Sequence, residues 1–76
     1  MLELYGSSAC PYTAEMRESL EWRRVQFIEY DVEVDSEARE RMLILSSGQR
    51  TVPVLVEDGK VLQIGWQGRG CVVAGK

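Results

Sequence analysis

The order in which hydrophobic periods change along the chain restricts its fold more than any other feature. Leu2-Glu3-Leu4-Tyr5 alternates with the period of a strand. After the loop Gly6-Ser7-Ser8-Ala9, a helical period runs from Pro11 to about Arg24. Met16 and Leu20, four apart, face a core, and Glu15, Arg17, Glu18 and Glu21 face water, with Trp22 off the apolar stripe. Pro11 suits the first helical turn, where its missing N–H costs nothing. From Val25 to Val32 the strand period returns, with Val25, Phe27, Glu29 and Asp31 alternating against Ile28 and Tyr30. A strand, a helix and a strand at this spacing form a parallel pair with a right-handed crossover.

The second half continues the pattern. Asp35 or Ser36 caps a second helix with Glu37 in its first turn. Ala38, Met42 and Leu45 form its buried stripe, and Gly48 ends it as a left-handed cap. Val52 to Val56 reads as a third strand. Asp58-Gly59 signals a two-residue hairpin leading to an antiparallel fourth strand, Val61 to Ile64. Gly65-Trp66-Gln67-Gly68-Arg69-Gly70-Cys71 is glycine-rich with no helical period, and Val72 to Lys76 is too short for a clear assignment. The expected architecture is α/β with the order β-α-β-α-β-β, two helices covering a four-stranded mixed sheet. At 76 residues it is a single domain, 1–76, whose tail, 65–76, carries Cys71.

Composition removes several functions. Net charge is −3 with no basic face, which argues against a nucleic-acid partner. No run of ~18 apolar residues is present, so no transmembrane helix is expected. No basic segment followed by an apolar stretch opens the chain, and a cytoplasmic location is the expectation. The absence of His excludes a Cys–His pair, a His-ligated metal and a His general base. Two cysteines are too few for a structural zinc site or for the disulfide framework of a small secreted domain. They are two inert thiols, one reactive thiol, or a pair closing a long loop.

Cys10 stands directly before Pro11, at a helix start. There the helix dipole and unpaired N–H groups can lower a thiol pKa to ~3.5–7.5. A buried, inert sulfur is the plainer reading of a lone cysteine, but a polar loop ahead of a helix is an unusual place for one.

Cys10-Pro11-Tyr12-Thr13 resembles the glutaredoxin active-site loop, usually Cys-Pro-Tyr-Cys, and Arg50-Thr51-Val52-Pro53 resembles the Thr-Val-Pro segment of the same family. The resemblance covers about residues 1–65 and implies a minimal thioredoxin-like fold without a full C-terminal helix. It implies that Cys10 is the nucleophile and that Pro53 follows a cis bond beside it. The backbone at Thr51 and Val52 would pair with an extended thiol peptide such as glutathione. Pro11 and Tyr12 would flank the sulfur, and Arg50 would meet a substrate carboxylate. Pro53 and Arg50 also have plainer readings, as a strand-start proline and a solvated loop charge.

Three departures follow. Thr13 replaces the second motif cysteine, so no local disulfide forms, though Thr13 can donate a hydrogen bond to the Cys10 thiolate. Ser7 stands where the family often has Lys. The tail lacks the acidic residue and final helix that help hold glutathione, so glutathione is only a possible thiol substrate. The tail supplies a cysteine instead. The hairpin returns Ile64–Trp66 toward Cys10, and the five residues from Trp66 to Cys71 reach up to ~17 Å. Cys71 is therefore either a resolving thiol or a small apolar residue packed beside Val72 and Val73. Trp66 either covers the site or closes the hairpin end, and Trp22 reads as a half-buried surface aromatic. The loop and tail together are similar to a bacterial glutaredoxin-like group that often carries selenocysteine at the first motif position. Cys10 is then a natural cysteine version or a replacement.

The function expected is thiol–disulfide exchange by a monomer, without a metal or bound cofactor, on a disulfide-containing protein or a low-molecular-weight thiol. The alternatives are iron–sulfur cluster binding, as in single-thiol glutaredoxins, and a partner-binding domain without turnover.

Overall fold

The structure is a computed structural model and describes residues 1–73. The chain runs β1 (Leu2–Gly6), α1 (Pro11–Trp22), β2 (Phe27–Asp31), α2 (Ser36–Leu45), β3 (Thr51–Val52), β4 (Val54–Glu57), β5 (Lys60–Ile64) and β6 (Cys71–Val72). β2, β1, β4 and β5 form the four-stranded mixed sheet in that order. β1 is parallel to β2 and antiparallel to β4, and β5 is antiparallel to β4.

β1 lies centrally because both its faces are apolar enough to bury. Leu2 and Leu4 join Met16 and Leu20 of α1, with Phe27, Leu55 and Trp66 alongside. Tyr5 points to the other face, among Val54, Val56 and the α2 residues Ala38 and Met42. The two helices thus cover opposite faces of the sheet. Each large apolar side chain buried this way contributes about 1.5–3 kcal/mol. Arg17 of α1 adds a two-pronged ion pair to Glu29 of β2, at 2.7 and 2.8 Å. On the α2 face the stacked rings of Tyr5 and Tyr30 lie beneath the Arg41 guanidinium. Burial raises the Tyr5 hydroxyl pKa above its ordinary value, although a hydrogen bond from Arg41 works against the shift.

Several boundaries differ from the sequence expectation. α1 stops at Trp22, and Arg24 in the left-handed region (φ 58°) turns the chain. The Val25 N–H then closes on the Leu20 carbonyl at 3.1 Å. β2 consequently begins at Phe27, and Val25 is exposed. α2 is capped by Asp35, whose carboxylate accepts from the Ala38 N–H at 3.0 Å. It ends in two successive left-handed residues, Ser47 (φ 58°) and the expected Gly48 (φ 87°), whose N–H donates to the Leu43 carbonyl. Leu45 is half-buried, because only Ala38 and Met42 of that stripe face the sheet squarely. Trp22 is 88% exposed, not half-buried. The Asp58-Gly59 hairpin forms as expected, with positive φ at both residues.

The largest difference concerns the third strand. Val52–Val56 is not continuous, because a cis Val52–Pro53 bond breaks it into β3 and β4. β3 leaves the main sheet and pairs with β6, a strand that the tail's glycines conceal in the sequence. The remainder of the tail, residues 74–76, lies outside the described residues.

Candidate active site

Cys10 is the N-cap of α1, with extended backbone at φ −96° and ψ 117°. The preceding loop is a tight turn. The Cys10 N–H donates to the Ser7 carbonyl at 3.1 Å, and the Ala9 N–H donates to Ser7 Oγ at 3.2 Å. The first intrahelical bond runs from the Ala14 N–H to the Cys10 carbonyl at 3.3 Å. Pro11 has no N–H, so the amides of Tyr12 and Thr13 have no partner within the helix. Both begin the helix beside Cys10, where dipole and donors favour a thiolate over a thiol.

Cys10 forms a disulfide with Cys71 across a sequence separation of 61, with the Cα atoms 5.9 Å apart. β6 brings Cys71 there. It lies antiparallel to β3, with Thr51 opposite Val72 and Val52 opposite Cys71. Beyond the strand, the Val73 N–H donates to the Arg50 carbonyl at 2.9 Å. By the alternation of antiparallel ladders, Val52 and Cys71 are the next hydrogen-bonded pair. The cis Val52–Pro53 bond lies beside this pair, with Val52 and Pro53 fully buried. Cys10 is 2% exposed, Cys71 is half-buried and Val72 is 77% exposed.

The tail reaches this position in steps. The Gly65 N–H donates to the Pro53 carbonyl at 2.7 Å. Trp66 and Arg69 then exchange backbone hydrogen bonds of 2.6 and 2.9 Å around Gln67-Gly68. The Trp66 indole N–H donates to Glu15 on α1 at 3.0 Å. Finally Gly70 passes so close to β3 that a Cβ there would lie 2.6 Å from Thr51 Cγ2 and 2.7 Å from the Val52 carbonyl oxygen.

A sequence model of the glutaredoxin family matches residues 2–62. The chain belongs to the glutaredoxin family. It is 38% identical over 58 residues to a Synechocystis protein named probable glutaredoxin slr1562, covering 75% of this chain and 53% of the relative. The chain thus spans about half the length of that relative. An uncharacterized glutaredoxin-like 8.6 kDa protein in the rubredoxin operon of Clostridium pasteurianum is 32% identical over 62 residues, covering 82% and 81% of the two chains. Among solved structures, the thioredoxin-like protein BC3987 superposes with a TM-score of 0.76 at 33% identity, over 88% of this chain and 89% of that one. The fold is therefore the thioredoxin-like α/β architecture expected.

Within this glutaredoxin fold, Cys10, Cys71, Thr51, Val52 and Pro53 meet in one place. Tyr12 packs half-buried against the core beside Cys10. The hydrogen bond expected from Thr13 to a Cys10 thiolate belongs to the reduced protein, whereas here Cys10 is in a disulfide. Thr13 accepts through Oγ1 from the Ser7 N–H at 3.3 Å, and among the described residues it makes no hydrogen bond to Cys10. It is fully buried, and its side chain fills the space beside Gly6 that any Cβ there would occupy. Ser7 donates its hydroxyl to Glu33, so this side of the loop carries a carboxylate where the family often has an ammonium. Arg50 is half-buried, and its Nη1 is buried with no hydrogen-bond partner among the described residues. Trp66 fastens the tail to α1 rather than capping the sulfur. Gly70, Glu15 and the Val73 amide were not legible as parts of the site. The signal available was the pair Val72-Val73 after Cys71, a β-branched run suited to a strand. Among the described residues no helix is long and apolar enough to cross a membrane.

Proposed function

We propose that the protein is a thiol–disulfide oxidoreductase in which Cys10 is the nucleophile and Cys71 the resolving thiol. One observation carries this reading: Cys10, at the N-cap of α1 beside two amides without a partner within the helix, is bonded to Cys71 of β6. In the reduced protein the Cys10 thiolate attacks one sulfur of a substrate disulfide. A Cys10–substrate bond forms, and the other substrate sulfur leaves as a thiolate. The Cys71 thiolate then attacks Cys10 Sγ, closes the Cys10–Cys71 bond and expels the second substrate sulfur. The substrate gains two electrons and the cysteine pair loses two. An external thiol or dithiol restores the reduced pair. The substrate class is a disulfide-containing protein or a low-molecular-weight disulfide, and the enzyme acts as a monomer. Tyr12 and Pro11 flank the reacting sulfur. Arg50, with one buried nitrogen lacking a partner among the described residues, is suited to a substrate carboxylate.

The test combines a disulfide map with turnover. The reduced protein is mildly reoxidised and digested, and its disulfides are identified by mass spectrometry. The expected product is the Cys10–Cys71 bond. Turnover with dithiol as reductant should fall in Cys71→Ser, while mixed disulfides with external thiols accumulate on Cys10. Reoxidation without that bond, together with unchanged turnover in Cys71→Ser, would remove Cys71 from the mechanism.

A further inference from the structure

We infer that β6 holds the place on β3 that the cysteine segment of a substrate takes, so that the tail is an internal copy of the substrate and its sequence states the substrate preference. The inference rests on the reading of Cys10 as nucleophile. β3 is not part of the four-stranded sheet, and its two residues pair only with β6 among the described strands. With β6 lifted away, β3 would present unpaired backbone groups next to the Cys10 sulfur. Such an edge accepts an added strand. Cys10 is 2% exposed with Cys71 bonded to it, and it lies in the core cluster at the start of α1, so the side that Cys71 takes is the approach the structure shows. A cysteine that bonds to it must bring its Cα to about 4.4–6.8 Å. The position opposite Val52 meets that requirement, since Cys71 stands there with its Cα 5.9 Å from that of Cys10.

The fit of the tail then specifies what an incoming segment must carry. The residue before its cysteine takes the place of Gly70. A Cβ at that point meets Thr51 Cγ2 at 2.6 Å and the Val52 carbonyl oxygen at 2.7 Å, so glycine is required. The residue after the cysteine takes the place of Val72, which is 77% exposed and sets no demand. The second residue after the cysteine takes the place of Val73. That side chain is buried in the core cluster with Tyr5, Val32 and Val52, and its N–H donates to the Arg50 carbonyl. It must be apolar and must have an amide. The preferred substrate is an extended protein segment of the pattern glycine, cysteine, any residue, apolar residue. Glutathione ends one residue after its cysteine and cannot fill the last position. β6 and the substrate segment are alternative occupants of one edge. The tail leaves when the substrate enters, and its return with Cys71 expels the product.

The test uses the full-length Cys71→Ser protein, in which Cys10 is the only thiol. It is equilibrated under mild oxidation with glutathione and with the peptide Arg-Gly-Cys-Val-Val, and the mixed disulfides on Cys10 are quantified by mass spectrometry. Two further peptides replace the glycine by alanine or the last valine by aspartate. The glycine peptide should occupy Cys10 about tenfold more than the alanine or aspartate peptide, the lower end of what overpacking or burying a charge costs. It should also exceed glutathione. Adding Gly70→Val to Cys71→Ser evicts the tail and should raise peptide occupancy further. Equal occupancy by the glycine and alanine peptides, within about twofold, overturns the inference and leaves Cys10 as a nucleophile. If no thiol, glutathione included, forms a mixed disulfide with Cys10, the proposed function falls and the inference falls with it.

Discussion

The two cysteines of the site sit on very different parts of the molecule. Cys10 caps a helix of 12 residues that is packed on the central strand through Met16 and Leu20 and pinned to β2 by Arg17. Cys71 lies on a strand of two residues, with Val72 exposed on one side and a glycine close to β3 on the other. The first position is fixed by the core of the whole domain. The second is fixed by the disulfide, a few backbone hydrogen bonds, one indole contact and the burial of Val73. In the exchange proposed for this protein one sulfur stays with its activating amides while the other comes and goes. In the proposed function those parts fall to Cys10 and Cys71 respectively.

The largest effect expected from breaking this asymmetry is on activity. Cys10→Ser should abolish disulfide reduction, because the only sulfur beside the α1 amides is lost. Cys71→Ser should leave a slower reaction that depends on external thiol concentration. Turnover measured against a range of reductant concentrations separates the two. In the reduced protein the Cys10 pKa, read from alkylation rate against pH, should lie below the ordinary ~8.5 of a free thiol, because the helix start favours its anion.

Next in size is the disulfide itself. It closes a loop with a sequence separation of 61, and chain entropy assigns such a closure about 4 kcal/mol. Oxidised and reduced protein compared by denaturant unfolding should differ by up to that amount. Hydrogen exchange should show where the difference is spent. Reduction should expose the amides of Cys71 and Val73 and leave those of Leu4 and Tyr5 protected. Uniform deprotection would mean that β6 and the sheet form one cooperative unit.

A smaller effect comes from matched truncations in the two regions. Leu4→Ala empties a site in the centre of the sheet and should cost about 3 kcal/mol of global stability. Val73→Ala removes two methyl groups from the docked tail and should cost about 1.5 kcal/mol. The second loss should weaken only the docking of β6, read as faster exchange of its own amides in the reduced protein.

Much of this division was legible in the sequence because it is local. Alternation at Leu2–Tyr5, the apolar spacing of Met16 and Leu20, the Asp35 cap and the Asp58-Gly59 turn each act over a few residues, and each element formed. The Cys10–Cys71 pairing was also within reach, since the hairpin dictates where the tail begins. What escaped was non-local. β3 and β6 are two-residue strands about twenty residues apart in sequence, and neither carries a period of its own. Thr13 reads in the motif as a donor to a Cys10 thiolate. That its Oγ1 also accepts from the Ser7 amide is visible only once the preceding loop is folded. Arg24 and Ser47 take left-handed conformations that glycine usually fills, so α1 ends before its expected limit and the left-handed turn after α2 opens one residue ahead of Gly48.

The smallest effect tests what the indole hydrogen bond adds to the other anchors of the tail. Trp66 donates to Glu15 on α1 at 3.0 Å, the one side-chain hydrogen bond between the tail and a helix among the described residues. The contact is exposed, so its net value is about 0.5 kcal/mol even with a charged acceptor. It nonetheless holds the start of the Trp66–Arg69 turn, and that turn aims Gly70 and Cys71 along β3. Loss of the anchor should therefore lower the effective concentration of Cys71 at Cys10. At 0.5 kcal/mol the change is about twofold. The measurement is the ratio of oxidised to reduced protein in a series of thiol–disulfide buffers, for which Glu15→Ala should shift the midpoint toward oxidising conditions and Glu15→Gln should restore most of it. Thermal stability of the reduced protein should be unchanged in both variants, because α1 loses no buried contact. A midpoint that does not move in Glu15→Ala would mean that Val73, the β3 pairing and the apolar packing of Trp66 place Cys71 without help from the indole hydrogen bond.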